Sequence, residues 1–383
     1  MTIGDEFKAQ LNQRMIPFWS SLADTQYGGF IGEHDGVKPH PTADKGSIYH
    51  ARILWFFSSC AAETPEPGER ERLLKNAAHA YEFIKRVFID EKAGGVYWSA
   101  DYTGKPLDTD KHVYALAFTL YGLSAYYRAA KNPEVLALAR SVFTCMETHY
   151  RTPQGYIEQC DVNFTPQVNQ KLSESLFTPK TMNSMLHIME AYTEFFNAAG
   201  EGKEALGYIY GLILDHVLCD EKGRMDLFFD DTFRPQSDEK SYGHDIEASW
   251  LLTEAARALG RLPADQPRFL RLLDVTLAEG FDGTALANEH KNGAQDTGRI
   301  WWVQAEAVVG LVNGYGLTGS ADYLKHARAV WEYTKATLIG EKEWFWGKTI
   351  TGKPFDKPFA GMWKCPYHNG RMFLEVIKRH VDF

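Results

Sequence analysis

Polar residues able to move protons recur near the beginnings of the most apolar segments of this chain. His244 precedes Glu247 by three positions, and Asn183 precedes His187 by four. Residues three or four positions apart lie on one face of a helix, so each pair would present its two polar groups together. The other candidates are Arg52, Tyr114, Trp302, Glu306, Trp363 and His368. Because a buried polar side chain must be hydrogen-bonded or used, these residues are candidates for one site.

Two of these histidines, His244 and His368, suit proton transfer at a carbon next to a carbonyl group. Imidazole titrates near neutral pH, and inversion of such a carbon needs a base on one face and an acid on the other. Arg52 could stabilise the enediolate oxygen formed between these steps, since its charge is permanent. Glu247 and Glu306 would orient imidazoles or hold hydroxyl groups. The set therefore predicts proton exchange next to a carbonyl, as at C2 of an open-chain sugar.

The composition limits the classes of substrate and partner that we expect. Aromatic residues make up 14% of the chain and include ten tryptophans, and aromatic rings cover the apolar face of a pyranose in sugar-binding clefts. A formal net charge of −9 argues against a nucleic-acid partner. The apolar runs fall short of the ~20 residues of a membrane span, no secretory signal is visible, and five scattered cysteines suit a reducing compartment. We therefore expect a soluble cytoplasmic protein, a monomer or weak homodimer, with a small-molecule sugar substrate.

A repeated unit organises the whole chain. Glycine or tryptophan followed by aromatic or β-branched residues recurs at intervals of roughly 60–68 residues, which is typical of a repeat architecture. These sites begin at Gly29, Gly95, Gly155, Gly223, Gly283 and Trp344, and each predicts a short hairpin or extended turn. Segments with few charges lie between them, at 46–62, 111–130, 179–199, 243–260, 299–318 and 366–380. The intervening segments, such as 68–92, are apolar on one face only, which predicts half-exposed helices.

Each unit thus contributes one inner and one outer helix. Six inner helices surrounded by six outer ones form an all-α (α/α)6 barrel of about twelve helices, with short hairpins at one rim and residues 1–383 in a single domain. Because the helices alternate in direction, the beginnings of all inner helices would meet at that rim and share one pocket. An open helical solenoid is the alternative, but it would need capping units with polar outer faces.

Several residues also have a structural interpretation. His187 could be a core histidine, and Arg52 could form a buried ion pair with Glu247 or Glu306. The remaining histidines on outer helices or chain ends are interpreted as packing or surface groups: His79, His149, His216, His326 and His380. A metal site would need closely spaced carboxylate and imidazole ligands, for which His244 with Glu247 is the one fragment. We therefore expect no metal.

Five segments together resemble the N-acylglucosamine 2-epimerase superfamily. They are residues 44–57 (DKGSIYHARILWFF), 180–187 (KTMNSMLH), 241–250 (SYGHDIEASW), 299–307 (RIWWVQAEA) and 363–371 (WKCPYHNGR). The similarity extends over essentially the whole chain, and the third and fifth segments are highly specific. The resemblance implies an (α/α)6 barrel, the fold that the repeats predict independently.

The resemblance also implies roles for individual residues. His368 would assist ring opening and remove the C2 proton, and His244 would return a proton on the other face. His187 and Asn183 would hold the sugar oxygens near C1 and C2, and Arg52 would stabilise the enediolate. The pocket would be shaped by Tyr114, Trp302, Glu247, Glu306 and Trp363. We expect Trp302 rather than Trp301 to face the sugar. The resemblance implies no cofactor and no essential metal.

The substrates implied by the resemblance are β-1,4-linked disaccharides, namely cellobiose and lactose, with epimerisation of the reducing-end glucose. The loop at 151–180 matches none of the five segments and could shape the subsite of the second sugar. Two alternatives stay open within this fold: a monosaccharide epimerase or isomerase, and a glycoside hydrolase with Glu247 and Glu306 as its carboxylate pair. A non-catalytic sugar-binding protein is a third alternative, but binding alone gives no reason for opposed histidines.

Overall fold

The structure is a computed structural model and describes residues 2–172 and 176–383. Within these ranges, thirteen α-helical segments form twelve helices, because α1 and α2 are joined by a π-helical turn at Leu11–Met15. The outer helices are α1 and α2 (Ile3–Gln10, Ile16–Ser21), α4 (Pro67–Phe83), α6 (Pro133–Cys145), α8 (Lys203–Leu212), α10 (Leu262–Gly280) and α12 (Ala321–Thr337). The inner helices are α3 (Ser47–Glu63), α5 (Val113–Ala130), α7 (Met182–Ala199), α9 (Tyr242–Leu259), α11 (Trp301–Thr318) and α13 (His368–Arg379).

The inner helices form a closed ring. Each one packs against the next in chain order, and α13 packs back against α3. Gly370 permits this closure, since a Cβ there would lie 2.7 Å from the Phe56 ring. Ring closure confirms the predicted (α/α)6 barrel and is incompatible with an open solenoid.

Burial follows the pattern of apolar residues. Every residue of α3 from Ser47 to Ala61 is buried, whereas α4 buries one face and exposes its charged residues. The outer segment predicted at 68–92 is shorter, since the π-helical turn after α4 ends at Phe88 and a β-bridge follows between Ile89 and Val96. Further π-helical turns extend α6 (Met146–Tyr150) and α8 (Ile213–Val217).

A tight antiparallel pair follows each outer helix, as the repeat predicted. Two are hairpins, β5–β6 (Arg151–Thr152, Gly155–Tyr156) and β10–β11 (Leu218–Cys219, Arg224–Met225). The others are single bridges, Ala23 to Phe30, Ile89 to Val96, Phe281 to Leu286 and Ile339 to Trp344.

Small antiparallel sheets join neighbouring units at the same rim. The strand before an inner helix pairs with a strand of the next unit. The sheets are β1 (Lys45–Gly46) with β2 (Ser99–Ala100) and β3 (Pro106–Asp108); β4 (Lys111–His112) with β7 (Gln159–Cys160) and β8 (Pro166–Gln167); β9 (Lys180–Thr181) with β12 (Phe228–Phe229); β13 (Lys240–Ser241) with β14 (Glu289–Lys291) and β15 (Ala294–Asp296); and β16 (Arg299–Ile300) with β17 (Gly347–Lys348). These sheets fix where the inner helices begin and therefore where their first side chains point.

Of the helices in the described ranges, none is both long and apolar enough to cross a membrane.

Candidate active site

A cavity of about 180 Å³ lies where the inner helices begin. Its lining consists of Arg52, Tyr114, Asn183, His187, His244, Glu247, Trp301, Trp302, Trp346, Trp363 and His368. The sequence candidates therefore meet in one place, except that Glu306 lies behind His368 rather than on the cavity wall. They come together because each stands in the first two turns of its inner helix or in the loop just before it.

His368 is held from behind by a carboxylate. Its Nδ1 lies 2.7 Å from Oε1 of Glu306, and the indole N–H of Trp250 donates to Oε2 of the same carboxylate at 2.9 Å. Glu306 is fully buried, and burial raises its pKa. With Nδ1 engaged, Nε2 is the nitrogen free to face the cavity. Burial, together with the charges of Arg371 and Arg52, holds the pKa of His368 well below 6.5, so the ring is neutral.

His244 is held by a hydroxyl group instead. Its Nδ1 lies 2.7 Å from Oγ of Ser241, and burial lowers its pKa to about 3, with a smaller contribution from the charge of His187. The Trp302 ring centre lies 4.8 Å from the His244 ring and 5.3 Å from the His368 ring. Gly243 makes this contact possible, because a Cβ there would lie 2.4 Å from the Trp302 ring. Two neutral imidazoles thus flank one indole at the cavity.

Arg52 reaches the cavity as a buried cation with 3% of its surface exposed. It donates to the Tyr114 hydroxyl at 3.0 Å, and its guanidinium lies 4.0 Å from the Phe118 ring centre and 4.5 Å from that of Tyr367. The ion pair of Arg52 with Glu247 or Glu306 is not formed, because both carboxylates bind Arg371. Its positive charge therefore remains available to an oxyanion in the cavity.

Arg371 links three buried carboxylates beneath the cavity. Its Nη1 binds Glu190, and its Nη2 binds Glu247 and, at 2.7 Å, Glu306. Burial opposes ionisation of Glu190, but the Arg371 charge and the hydrogen bond with His187 outweigh it and lower its pKa to about 2. The His187 Nδ1 lies 2.8 Å from this carboxylate. One guanidinium thus fixes the carboxylates that orient both His187 and His368.

Comparison with known proteins identifies the family. The family model of N-acylglucosamine 2-epimerase (GlcNAc 2-epimerase) matches residues 28–369. The chain belongs to this family. It is therefore an epimerase, and the resemblance inferred from the five sequence segments is confirmed.

Individual relatives extend the similarity over nearly the full length. A cellobiose 2-epimerase from Ruminococcus albus is 43% identical, over 98% of this chain and 99% of that protein. The crystal structure of a sugar epimerase from a ruminal bacterium superposes with a TM-score of 0.96 at 41% identity and covers 100% of both chains. The crystal structure of a D-mannose isomerase has a TM-score of 0.84, over 98% of this chain and 97% of that one, but at 18% identity this likeness shows the shared fold alone.

Sequence reasoning missed two charged members of this epimerase's site, Glu190 and Arg371. A signal was present, because Glu190 follows His187 by three positions and Arg371 follows His368 by three, the spacing already noted for His244 and Glu247. The missed partners therefore repeat a pattern of histidine followed one helical turn later by a charged residue.

One group in the described ranges has the composition of a metal site. Ligand atoms of Glu247, Glu306 and His368 lie within 4.8 Å of one another. The Arg371 guanidinium binds both carboxylates of this group, and its positive charge would repel a cation there. The two carboxylates are therefore better suited to supporting His368 than to binding a metal ion with it.

Replacing Arg52 with methionine should lower activity without lowering stability. Methionine fills similar apolar space, and its introduction leaves no buried carboxylate without a partner. We expect kcat/KM for epimerisation to fall by about 10²–10³-fold, the usual loss for one oxyanion donor. The free energy of unfolding in urea should stay equal or rise, since a buried cation is removed. A variant that loses stability but retains kcat/KM would contradict this role.

The pH dependence of kcat/KM should reflect the low pKa of His368. The sequence predicts His368 as the base, and a base is active when unprotonated, so a lowered pKa should extend the active range toward lower pH. We expect kcat/KM to stay on its plateau as the pH falls from 7.5 through 6.5. Circular dichroism at each pH would show that the fold is intact. An acidic limb centred at or above pH 6.5 would show that burial does not suppress protonation of this base.

Proposed function

We propose that the chain epimerises the reducing-end sugar of β-1,4-linked disaccharides at C2, converting cellobiose to glucosyl-mannose and lactose to epilactose. The observation that carries this proposal is that two neutral imidazoles, from His244 and His368, line one cavity with the buried guanidinium of Arg52. Those groups are the base, the acid and the oxyanion partner that C2 inversion requires. The name of the Ruminococcus albus relative supports the same substrate class.

His368 begins the reaction. It assists opening of the pyranose ring and then takes the C2 proton on Nε2. Glu306 accepts the hydrogen bond from Nδ1 and stabilises the imidazolium that forms. Arg52 balances the negative charge that develops on the enediolate oxygen. Each of these interactions is stronger in the transition state than in the ground state, which is the condition for catalysis.

His244 completes the inversion from the other side of the planar intermediate. Asn183 and His187 hold the oxygens near C1 and C2, and the Asn183 carbonyl oxygen is a buried acceptor without a hydrogen-bond partner among the described residues. Glu190 accepts the hydrogen bond from Nδ1 of His187 and so directs its Nε2 toward the substrate. The wall against which the sugar ring packs is formed by Tyr114, Trp302 and Trp363.

A second cavity supports a disaccharide rather than a monosaccharide. It has a volume of about 480 Å³ and shares Asn183 and His244 with the inner cavity. Glu239, Glu289 and Lys291 supply polar groups to its wall. Leu172, from the 151–180 loop, also lines it, whereas residues 173–175 of that loop lie outside the described residues. The reducing-end ring would occupy the inner cavity and the second sugar the outer one.

The glycoside hydrolase alternative is disfavoured by the carboxylate geometry. Glu247 and Glu306 bind the same nitrogen of Arg371, so they lie on one side of the site. A hydrolase needs its two carboxyl groups on opposite sides of the glycosidic bond, at least ~5 Å apart. These two acids therefore suit support of His368.

The proposed reaction depends on side chains alone and suits a reducing compartment. The reaction would need no metal and no organic cofactor, because the acid, the base and the oxyanion partner are all side chains. The five cysteines are free thiols, which supports a reducing, cytoplasmic location. The closed helical ring supports a single domain for residues 1–383.

The test is the product spectrum from separate incubations with cellobiose, lactose, mannose and N-acetylglucosamine, resolved by chromatography and NMR. We expect glucosyl-mannose and epilactose from the two disaccharides. Conversion of mannose to fructose, or of N-acetylglucosamine to its C2 epimer, without action on cellobiose would favour a monosaccharide enzyme. Release of glucose from cellobiose would favour a hydrolase.

A further inference from the structure

Ser241 caps helix α9 and also contacts a histidine of the site. It is the residue before α9, and its Oγ accepts the backbone N–H of His244 at 3.4 Å, as an N-cap does. The same Oγ lies 2.7 Å from Nδ1 of His244. Ser241 also lines the outer cavity of about 480 Å³. Ser241 thus binds the imidazole through its hydroxyl group and is also part of the outer cavity wall.

The two imidazoles of the site differ in what binds their Nδ1 atoms. Nδ1 of His368 faces the Glu306 carboxylate, which already binds Arg371 and accepts a hydrogen bond from Trp250. A carboxylate only accepts hydrogen bonds, so Nδ1 of His368 carries the proton. In a neutral ring the other nitrogen is then unprotonated. His368 therefore presents a bare Nε2 to the cavity, as a base must.

His244 has the opposite arrangement. A serine hydroxyl donates one hydrogen bond and accepts others, and the backbone N–H of His244 already uses Oγ as an acceptor. Donation from Oγ to Nδ1 satisfies the hydroxyl hydrogen and the ring nitrogen together. In the neutral ring this leaves the proton on Nε2. His244 therefore presents an N–H to the cavity, as an acid must.

We propose that Ser241 is a positioning residue that holds His244 in the tautomer protonated on Nε2 and passes protons to it from water in the outer cavity. The proposal rests on the proposed epimerase function, which it deepens by assigning the source of the returned proton. The asymmetry between the carboxylate behind His368 and the hydroxyl behind His244 is then what sets base and acid apart.

A proton relay through Ser241 and His244 returns a proton to C2. The enediolate carbon C2 takes the proton from Nε2 of His244, and the electron pair of that N–H bond stays on the ring. Nδ1 takes the hydroxyl proton of Ser241, and Oγ takes a proton from a water molecule in the outer cavity. The hydroxide left there is neutralised by the proton that His368 removed from C2 and releases to solvent. No net acid or base is consumed.

The site must regain its starting protonation state after each turnover. Once His368 has released the C2 proton to solvent, His244 still carries its ring proton on Nδ1 instead of Nε2, and this tautomer must be reset before the next substrate. Water in the outer cavity gives a proton to Nε2 while Nδ1 gives its proton to Oγ of Ser241, and Oγ passes its own proton to the hydroxide so formed. Loss of the hydroxyl would slow this exchange. Because Oγ already binds the ring and the backbone N–H of His244, its loss should remove no hydrogen bond to the sugar, so kcat should fall while KM is retained.

The direct test is the tautomer of each imidazole, read from ¹⁵N chemical shifts of the ¹⁵N-histidine-labelled full chain near pH 7.5. His244→Gln and His368→Gln variants assign the two signals. We expect a protonated Nε2 in His244 and a protonated Nδ1 in His368. In Ser241→Ala the His244 signal should move toward the other tautomer while that of His368 stays unchanged. The same tautomer in both residues of the wild-type protein would overturn the proposal.

Kinetics with cellobiose distinguish the relay from a purely structural cap. Ser241→Ala should lower kcat by about 10²-fold, the lower end for proton-transfer groups, with KM nearly unchanged. Ser241→Thr keeps the hydroxyl and should restore most of kcat. Asn132→Ala removes the cap of α6, where Asn132 accepts the N–H of Glu134, and should lower thermal stability but not kcat. A Ser241→Ala enzyme with wild-type kcat would overturn the relay.

Failure of the relay and failure of the proposed function would look different. Wild-type enzyme that turns over cellobiose to glucosyl-mannose supports the function whatever Ser241 does. Wild-type enzyme without this activity sinks the function, but the tautomer measurement still decides whether Ser241 sets the state of His244.

Discussion

His368→Asn should lower kcat for epimerisation of cellobiose by about 10³-fold or more, near the upper range for loss of a general base. Asparagine is close in size to histidine but cannot take a proton from carbon at neutral pH. The variant should fold normally, because His368 lies on a cavity wall and Glu306 keeps its bonds to Arg371 and Trp250. Initial rates from NMR, with circular dichroism for the fold, give both quantities.

A matched control is His216→Asn on the outer surface. His216 is exposed, stacks on Phe233 at 4.5 Å between ring centres, and does not belong to the cavity lining. We expect wild-type kcat from this control. Retention of more than about a tenth of wild-type kcat by His368→Asn would be too much activity for an enzyme without its base.

Arg371→Met should have the largest effect on stability. Its removal leaves the carboxyl groups of Glu190, Glu247 and Glu306 buried together without their cation. Breaking a buried ion pair from one side costs about 3–5 kcal/mol of unfolding free energy. Activity should also collapse, because the carboxylates that orient His187 and His368 lose their anchor. Urea unfolding followed by circular dichroism measures the loss.

The loss of unfolding free energy in Arg371→Met should grow as the pH rises, because the folded and unfolded states then bind different numbers of protons. Without Arg371, the pKa of Glu190 should rise above its unfolded value, so the folded state binds more protons than the unfolded state. Stability then decreases as the pH rises. We expect Arg371→Met to be destabilised more at pH 8 than at pH 5.5. Arg379→Met is the control on the same helix, since its partners Glu254 and Glu375 are partly exposed and their loss costs about 1 kcal/mol or less. Equal stability of the two variants would contradict the role of Arg371.

The barrel could be predicted from the sequence because each level of pattern agreed with the others. The six glycine or tryptophan sites became tight pairs after the outer helices, and the low-charge segments became the inner ring. Helix direction then implied that the first turns of the inner helices share one pocket. The meeting of His187, His244 and His368 in one cavity follows from this repeat alone.

The buried charged residues that hold the site histidines in place could not be predicted from the repeat. Arg371 and Glu190 are 181 residues apart, and they meet only because the ring closes. Sequence spacing relates residues of one helix only, whereas the observed partners of Arg371 lie on three other helices. The role of Arg52 depended on the same fact, since its freedom results from Glu247 and Glu306 being bound elsewhere.

Proton exchange at C2 in heavy water, catalysed by single histidine variants, tests most directly whether two imidazoles act on opposite faces of one carbon. Wild-type enzyme should place deuterium at C2 of both epimers. His244→Asn retains the base on the gluco face, so it should exchange C2 of cellobiose for deuterium while forming no glucosyl-mannose. His368→Asn should exchange C2 of glucosyl-mannose only, and slowly, because His244 can remove that proton only after its own ring proton has moved from Nε2 to Nδ1. Exchange of the same single sugar by both variants would place both histidines on one face and contradict the account.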